Sequence, residues 1–259
     1  MNNKSPAILR LAFGLLLGIA TAACASTAPA PRQTVLVAGA AGQTGQHIVR
    51  HLQEEGYSVR ALVRDATKAA QQLGPDVVLV QGDVKDPASL DAAVSGVDAV
   101  ISSIGARGKD GPDRPEMVDY EGVRNLVDAA KAAKVRQFVL VSSRGVTQAD
   151  HPLNRIFGNV LIWKLKGEDH LRASGLAYTV VRPGGLLNEP AGEGDIVFEQ
   201  GDRKFGGSAL SIPREDVAVV CVQALKFPEA RFRTLEIHRG EGAPVTDWKA
   251  KFASLKPDA

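Results

Sequence analysis

The stretch Thr34–Gly45 reads TVLVAGAAGQTG, in which a short apolar run leads into three glycines spaced three residues apart. Residues 34–39 are rich in β-branched and apolar side chains, which is typical of a buried strand. Residues 45–56, GQHIVRHLQEEG, repeat their apolar side chains at helical spacing up to a final glycine. The stretch therefore predicts a strand, a glycine turn and a helix in direct succession.

The three glycines of this turn have the spacing of a loop that holds a diphosphate. Gly39 permits a tight turn, Gly42 lets backbone N–H groups approach an anion, and Gly45 allows the helix to pack closely on the strand. Gln43 and Thr44 follow in the first helical turn, where free N–H groups and the helix dipole favour phosphate. We expect these five residues to bind the pyrophosphate of a dinucleotide. The alternative is a turn whose glycines serve packing alone.

Apolar runs and helical patterns alternate along most of the remaining chain. Strands are predicted at 57–64, 77–83, 98–105, 137–143 and 177–183, and helices at 87–96, 117–134 and 159–175. Continuous apolar strands separated by helices indicate a parallel sheet covered on both faces. Right-handed crossovers then make it a doubly wound α/β sheet of the Rossmann type.

The alternation breaks after residue 183. Residues 184–211 are rich in glycine and predict a small C-terminal lobe on the substrate side, with a hairpin over 195–207. Helices at 213–227 and 246–255 and a strand at 233–240 then complete a single domain over 34–259. The segment 184–211 has no chemical signature that identifies a substrate.

The composition is that of a folded domain, with 259 residues, 44% of them hydrophobic and 23% charged. Apart from Lys4 and Arg10 near the N-terminus, basic and acidic residues balance. A domain with balanced charges gives no electrostatic reason to expect a nucleic-acid partner. Two cysteines, Cys24 and Cys221, are too few for a disulfide framework and lack the spacing of a zinc site. Cys221 lies in an apolar helical run and is predicted to be a packed, unreactive thiol.

The end of the second predicted strand indicates which dinucleotide is bound. A site for NAD usually has an acidic residue there, about 20 residues after the loop, to bind the ribose 2′-hydroxyl. Here the strand ends at Arg64, whose guanidinium suits a 2′-phosphate, and Lys68 could assist it. The sequence therefore predicts NADP. The alternative is that Arg64 is a solvated surface residue and that Asp65 binds the ribose.

Two further strand ends belong to the same predicted site. Asp83 and Val84 follow the third strand, where a carboxylate and a backbone amide could hydrogen-bond adenine. Asp83 is also suited to cap the turn that follows it. Gly105 ends the fourth strand and is assigned with them to the cofactor.

Six motifs together carry a resemblance to a known family: VAGAAGQTG (37–45), RALVRD (60–65), QGDV (81–84), VDYEGVRNLVDAAK (118–131), FVLVSS (138–143) and LRASGLAYTVVRPGGL (171–186). From residue 33 to about residue 227 the chain resembles the atypical short-chain dehydrogenase/reductases, in the NmrA-like and flavin/biliverdin-reductase-like branch. The resemblance implies a Rossmann fold and NADP binding. Members of this branch include reductases as well as non-catalytic redox sensors and assembly factors.

The resemblance also implies where catalysis would occur. The family places a serine on the fifth strand and a Tyr-x-x-x-Lys pair on the next helix. The lysine holds the nicotinamide ribose and lowers the pKa of the tyrosine, which transfers a proton. Ser143 matches the serine and Lys164 the lysine, but Val160 occupies the tyrosine position. Lys164 is then either a retained cofactor ligand or a surface residue.

A domain that binds NADP and lacks the usual acid favours one kind of reaction. We expect an NADPH-dependent reductase of a small planar acceptor that needs little proton assistance, such as a flavin or quinone. One alternative is a non-catalytic NADP(H)-dependent redox sensor or assembly factor. Another is a degenerate scaffold that uses neither cofactor nor catalysis.

The N-terminus predicts an export signal over residues 1–23. Residues 1–10 are basic without acids, and residues 11–23 form an apolar run of thirteen. Such a run is short for a transmembrane helix, which needs roughly 20 apolar residues, and is typical of a signal peptide.

The residues around Cys24 indicate how the chain would be anchored. Thr21-Ala22-Ala23-Cys24 resembles the cleavage box of bacterial lipoproteins, so Cys24 is expected to be acylated and residues 24–33 to act as a tether. The domain would then be lipid-anchored to a membrane of the cell envelope, facing the periplasm or exterior. The alternatives are cleavage after Ala28-Pro29-Ala30, an uncleaved anchor or a wrongly assigned start, the last of which leaves the domain cytoplasmic. An envelope location conflicts with the use of a cytoplasmic cofactor.

Overall fold

The computed structural model describes residues 1–2, 32–202 and 210–258. The chain divides into two compact units, Met1–Pro31 and Arg32–Ala259. The elements of structure described below all belong to the second unit. Residues 3–23 of the predicted signal segment and Cys24 lie outside the described residues.

Up to residue 183 the strands alternate with helices as the apolar pattern predicts, with a further helix over 66–73 that was not predicted. They are β1 (Thr34–Ala38), β2 (Ser58–Val63), β3 (Val78–Gln81), β4 (Ala99–Ser102), β5 (Gln137–Val141), β6 (Tyr178–Pro183), β7 (Gly185–Leu187), β8 (Ile196–Glu199), β9 (Ser211–Pro213) and β10 (Arg233–Arg239). The helices are α1 (Gln43–Glu54), α2 (Ala66–Leu73), α3 (Asp91–Val94), α4 (Val123–Ala132), α5 (Pro152–Ile156), α6 (Val160–Ala173), α7 (Arg214–Lys226) and α8 (Trp248–Ala253).

Eight of these strands form one doubly wound sheet in the order β3-β2-β1-β4-β5-β6-β10-β8. Neighbouring strands are parallel except β8, which pairs antiparallel with β10. The predicted fold class is confirmed. The chain runs outward from β1 to β3 and then returns to β4 on the other side of β1, so a crevice opens where β1 and β4 end. In such sheets ligands bind at this switch point.

Both faces of the sheet are covered by an apolar core. On one face Ile48 and Leu52 of α1 pack in the same cluster as Val217 and Cys221 of α7. On the other face Leu126 of α4 belongs to a cluster with residues of β4, β5 and α6. Cys221 is fully buried, as predicted, and burial raises the pKa of its thiol to about 12.

Three elements differ from their predicted form. The helix expected over 87–96 is a 3₁₀ turn, Pro87–Ser89, followed by the four-residue α3. The helix expected over 117–134 begins as a π-helix, Glu116–Gly122, that continues into α4. The hairpin expected over 195–207 is described only in part, because residues 203–209 lie outside the described residues. Its first strand, β8, pairs with β10, where Phe198 lies opposite Ile237. The strands β7 and β9 form a separate parallel pair at the edge of the same segment.

Candidate cofactor site and active site

The glycine turn between β1 and α1 leaves the N-terminus of the helix open. Gly39 has a φ of +82°, and its carbonyl accepts a hydrogen bond from Gly42 N–H at 2.9 Å. A Cβ at Gly45 would lie 2.1 Å from Gly39 O, so only glycine allows this close packing of helix on turn. The N-cap, Gly42, supplies no side-chain cap, and the first turn of α1 has no acidic residue. The free N–H groups of this turn therefore suit a phosphate.

A cavity of about 120 Å³ lies beside this turn, at the carboxyl ends of β1 to β4. It brings together five residues that the sequence assigns to the cofactor: Gly39, Arg64, Asp83, Val84 and Gly105. Lys68, named as a possible assistant to Arg64, is not among the lining residues, whereas Lys85 and Asp113 are. The cavity has the location expected for the adenosine half of a dinucleotide.

The structure places both residues that the sequence names as alternatives for this half of the site. Asp65, the alternative ribose ligand, is the N-cap of α2, and its carboxylate accepts a hydrogen bond from Lys68 N–H at 3.0 Å. Asp83 does cap the turn after β3, because its Oδ1 accepts from Lys85 N–H at 2.9 Å. Asp83 also lines the cavity, so its two suggested roles are compatible.

Arg64 has a partner that sequence reasoning missed. Its Nη1 donates to Asp113 Oδ2 at 2.7 Å, and Lys85 Nζ donates to Asp113 Oδ1 at 2.6 Å. Hydrogen bonds from Lys85 and then Arg64 lower the pKa of the Asp113 carboxyl to about 2. The hydrogen bonds that Lys85 and Arg64 donate to Asp113 in turn raise the pKa of each of these two cations. Three charged side chains thus form one bridge in the wall of the cavity.

A second cavity, of about 480 Å³, lies next to the first. Ser143, Val160 and Lys164 all contribute to its wall, as the family resemblance implies. Most of the remaining wall is apolar: Pro115, Leu153, Ile156, Phe157 and Leu161. Arg107 lines both cavities, so the loop that carries it, residues 105–115, borders the two sites. The arrangement suits a flat apolar ligand beside a bound dinucleotide.

Lys164 is largely buried and is held in a fixed position. Its Nζ lies 2.7 Å from Oδ1 of Asp119, and only 17% of the Lys164 side chain is exposed. The Asp119 side chain is fully buried in the π-helix, and its Oδ2 accepts a hydrogen bond, at 3.2 Å, from Ala106 N–H. A Cβ at Gly167 would lie 2.7 Å from Asp119 O, which shows how closely α6 packs here. These contacts favour an oriented ligand over a surface lysine.

The loop after β5, which carries Ser143, is fixed by the segment after β8. Asp202 accepts hydrogen bonds from Gly145 N–H at 2.6 Å, from Thr147 N–H at 2.8 Å and from Thr147 Oγ1 at 2.8 Å. Asp202 is buried, at 4% exposure. Ser143 Oγ donates to Arg144 O at 3.0 Å. The predicted substrate-side segment therefore positions the serine loop through Asp202.

Arg214 is a second residue that the sequence did not reveal. It begins α7, and its Nη1 lies 3.5 Å from Thr44 Oγ1 in the first turn of α1. Its Nε donates to Asn188 Oδ1 at 2.8 Å. At the opposite ends of the two helices, Lys226 Nζ lies 2.9 Å from Glu55 Oε2. The helices α1 and α7 therefore run side by side in the same direction, with both positive dipole ends at the glycine turn.

A doubly wound sheet with an open glycine turn at its switch point and two adjoining cavities defines a dinucleotide-binding α/β protein. A family model described as NAD(P)H-binding matches residues 39–228. The chain belongs to this family, and its relatives place it among the atypical, epimerase-like short-chain dehydrogenase/reductases.

The relatives include uncharacterised proteins and named reductases. An uncharacterised chloroplastic protein of Arabidopsis thaliana is 39% identical over 262 residues, covering 92% of this chain and 79% of its own. Sanguinarine reductase of Eschscholzia californica is 34% identical over 262 residues, covering 86% of this chain and 96% of its own.

Solved structures extend the comparison. A putative NAD-dependent epimerase/dehydratase from Bacillus halodurans has a TM-score of 0.72 and 27% identity, covering 82% of this chain and 96% of its own. An anaerobillin reductase from Escherichia coli O157:H7 has a TM-score of 0.67 and 25% identity, covering 82% of this chain and 100% of its own. The family and its named members make this a reductase-like NAD(P)H-binding protein.

Proposed function

We propose that the chain is an NADPH-dependent reductase of a small planar acceptor such as a flavin or quinone. The observation that carries the proposal is the apolar cavity of about 480 Å³ in which Ser143 and Lys164 lie with Val160. Its apolar wall would cover a flat ring system and exclude water from it. Relatives named as sanguinarine reductase and anaerobillin reductase support the same class of chemistry.

The residues present fit a nicotinamide dinucleotide. The uncapped first turn of α1 would hold the pyrophosphate together with Gly42 and Thr44, and Arg214 reaches the same turn from α7. Arg64 and Lys85 offer charged donors to a 2′-phosphate, which favours NADP over NAD. When bound, the nicotinamide would supply a hydride.

The active-site residues would orient the reactants and would not supply a strong acid. Lys164, oriented by Asp119, would donate to the ribose hydroxyls, and Ser143 would donate to a polar atom of the acceptor. Reduction of a ketone needs a proton donor for its oxygen, which Val160 cannot provide. The charge of a reduced flavin or quinone is delocalised over its ring system, so this acceptor can leave without a proton from the protein.

Steady-state turnover tests this assignment. We expect NADPH oxidation with a panel of quinones and flavins, and very weak reduction of simple ketones. Val160→Tyr should raise ketone reduction by about tenfold or more, because a positioned acid typically contributes about 10²–10⁴-fold. The same substitution should change flavin reduction little. Robust ketone reduction by the unmodified chain would contradict the role given to Val160.

A non-catalytic NADP(H) sensor is the second candidate, and it too is favoured by Val160 at the tyrosine position. A sensor would bind NADPH in calorimetry and turn over no acceptor of the panel. A scaffold that uses no cofactor would bind neither NADPH nor NADH.

For the N-terminus we propose acylation of Cys24 and attachment to a membrane of the cell envelope. The support is the sequence TAAC (21–24) at the end of the apolar run. In the part of the chain that the structure describes, no helix has the length and apolar character to cross a membrane. An attached lipid would contribute about 0.8 kcal/mol for each buried CH₂.

Metabolic labelling with a clickable fatty acid should mark the wild-type chain expressed in a bacterial host and should fail to mark Cys24→Ala. The wild type should also sediment with membranes. If neither chain is labelled and the wild type fractionates with soluble cytoplasmic enzymes, the proposed acylation is wrong and the cytoplasmic alternative is favoured.

A further inference from the structure

The loop of residues 105–115 reaches across the cofactor cavity through one carboxylate. Asp113 accepts from Arg64 at 2.7 Å and from Lys85 at 2.6 Å, and both cations line the cavity. The side chains of Arg64, Lys85 and Asp113 are 44%, 21% and 27% exposed, so solvent and ligands can reach all three. The Asp113 carboxylate thus contacts the charged groups of both Arg64 and Lys85.

A 2′-phosphate would need the same donors. Arg64 and Lys85 carry two positive charges, and Asp113 together with Asp83, whose Oδ2 lies 3.6 Å from Lys85 Nζ, carries two negative ones. These four groups are neutral together, with Arg107 as a further cation in the cavity wall, and a phosphate dianion entering the cluster would meet two carboxylates. Asp83 is tied to the turn after β3 by its hydrogen bond from Lys85 N–H. Asp113 has no such restraint from β3, because it belongs to the loop.

Both ends of the loop are held by contacts with the rest of the domain, and its middle is exposed. Its start is held by the hydrogen bond from Ala106 N–H to Asp119, and its end by the buried Pro115. Residues 107–112 between them are exposed. Arg107 in this stretch also borders the apolar cavity, so a movement of the loop would reach both cavities.

We propose that Asp113 is an internal competitor for the 2′-phosphate: its carboxylate bridges Arg64 and Lys85 in the free chain and exchanges with the phosphate when NADPH binds. The exchange releases the loop of residues 105–115 beside the apolar cavity that contains Ser143 and Lys164. NADH has no 2′-phosphate and therefore leaves the bridge between Asp113 and the two cations intact. Asp113 is thus a specificity-determining residue that lowers NADPH affinity and couples the choice of dinucleotide to the loop. This inference rests on the proposed use of NADPH.

Calorimetry with NADPH, NADH and 2′,5′-ADP on the full chain tests the exchange. Asp113→Asn should tighten NADPH and 2′,5′-ADP by about three- to tenfold and leave NADH unchanged. Asp110→Asn, a matched change on the same exposed stretch, should alter none of the three. In an Arg64→Ala background the gain from Asp113→Asn should shrink, because one of the contested donors is gone.

The rate of amide hydrogen exchange in the loop is a second measurement. The proposal predicts that this rate depends on which dinucleotide is bound, which the loss of an ion pair alone would not explain. Backbone amides of residues 107–111 should exchange faster in the wild type with NADPH than with NADH, and faster in Asp113→Asn than in the wild type when no ligand is present. Weaker NADH binding in Asp113→Asn would instead make Asp113 a ligand of the ribose hydroxyls and overturn the proposal. If the ratio of NADPH affinity to NADH affinity is the same in Asp113→Asn as in the wild type, the proposal is overturned as well. If the wild type binds neither dinucleotide, the proposed function itself fails.

Discussion

Gly42→Val should abolish binding of NADPH and NADH alike while the domain remains folded. The φ of Gly42 is −78°, which any residue adopts, and an added Cβ meets Gly39 O at 3.1 Å as its nearest described neighbour outside adjacent residues. A branched side chain here would project over the open N-terminus of α1. Losing two hydrogen bonds to a charged group costs roughly 3–6 kcal/mol, which corresponds to at least about a 100-fold loss of affinity.

Calorimetry and thermal unfolding together decide this prediction. The N-cap preference for glycine over valine is worth up to about 1 kcal/mol, so the melting temperature should fall by only about 2–4 °C. Gly42→Ala is the graded control and should lose less affinity than the valine variant. Unchanged dinucleotide affinity in a folded Gly42→Val chain would remove the turn from the cofactor site.

Arg64→Ala should weaken NADPH strongly and NADH little. The guanidinium would make a charge-assisted contact to the 2′-phosphate, worth roughly 1.5–3 kcal/mol, so the loss should be about 10- to 150-fold. Arg214→Ala is the informative comparison, because Arg214 reaches Thr44 at the pyrophosphate turn, which both dinucleotides share. It should weaken NADPH and NADH by similar factors.

Lys68→Ala is the matched control for these two variants. Lys68 is exposed and does not line the cavity, so its loss should leave both affinities unchanged. Equal losses of NADPH and NADH in Arg64→Ala would refute selection of the 2′-phosphate by this residue. A selective loss of NADPH in Arg214→Ala would show that Arg214 contacts the adenosine half.

The fold was predictable because its signals are local. Each apolar run is contiguous, the glycine turn spans seven residues, and parallel neighbours follow from right-handed crossovers. The antiparallel pairing of β8 with β10 was not predictable in this way. The register that sets Phe198 opposite Ile237 depends on the closing strand and leaves no pattern within 195–207 itself.

The candidate site was predictable where its residues lie directly after strands. Arg64 and Asp83 are such residues, and each reaches the expected cavity. Asp113 and Arg214 act from distant segments, 49 residues from Arg64 and 170 residues from Thr44. A charge in an exposed loop has no periodic context, so nothing in the sequence distinguishes Asp113 from Asp110 beside it in the same stretch. Only the folded geometry selects one of them.

The packing of α1 on α7 determines when the cofactor turn can become stable during synthesis. The apolar side of α1, with Ile48 and Leu52, shares its core with Val217 and Cys221, which the ribosome adds about 170 residues later. A nascent chain that ends before α7 lacks Arg214 and the part of this core that α7 supplies. We therefore expect the glycine turn to reach its full stability only after α7 has been synthesised, and a chain kept unfolded for secretion would cross the membrane without its dinucleotide.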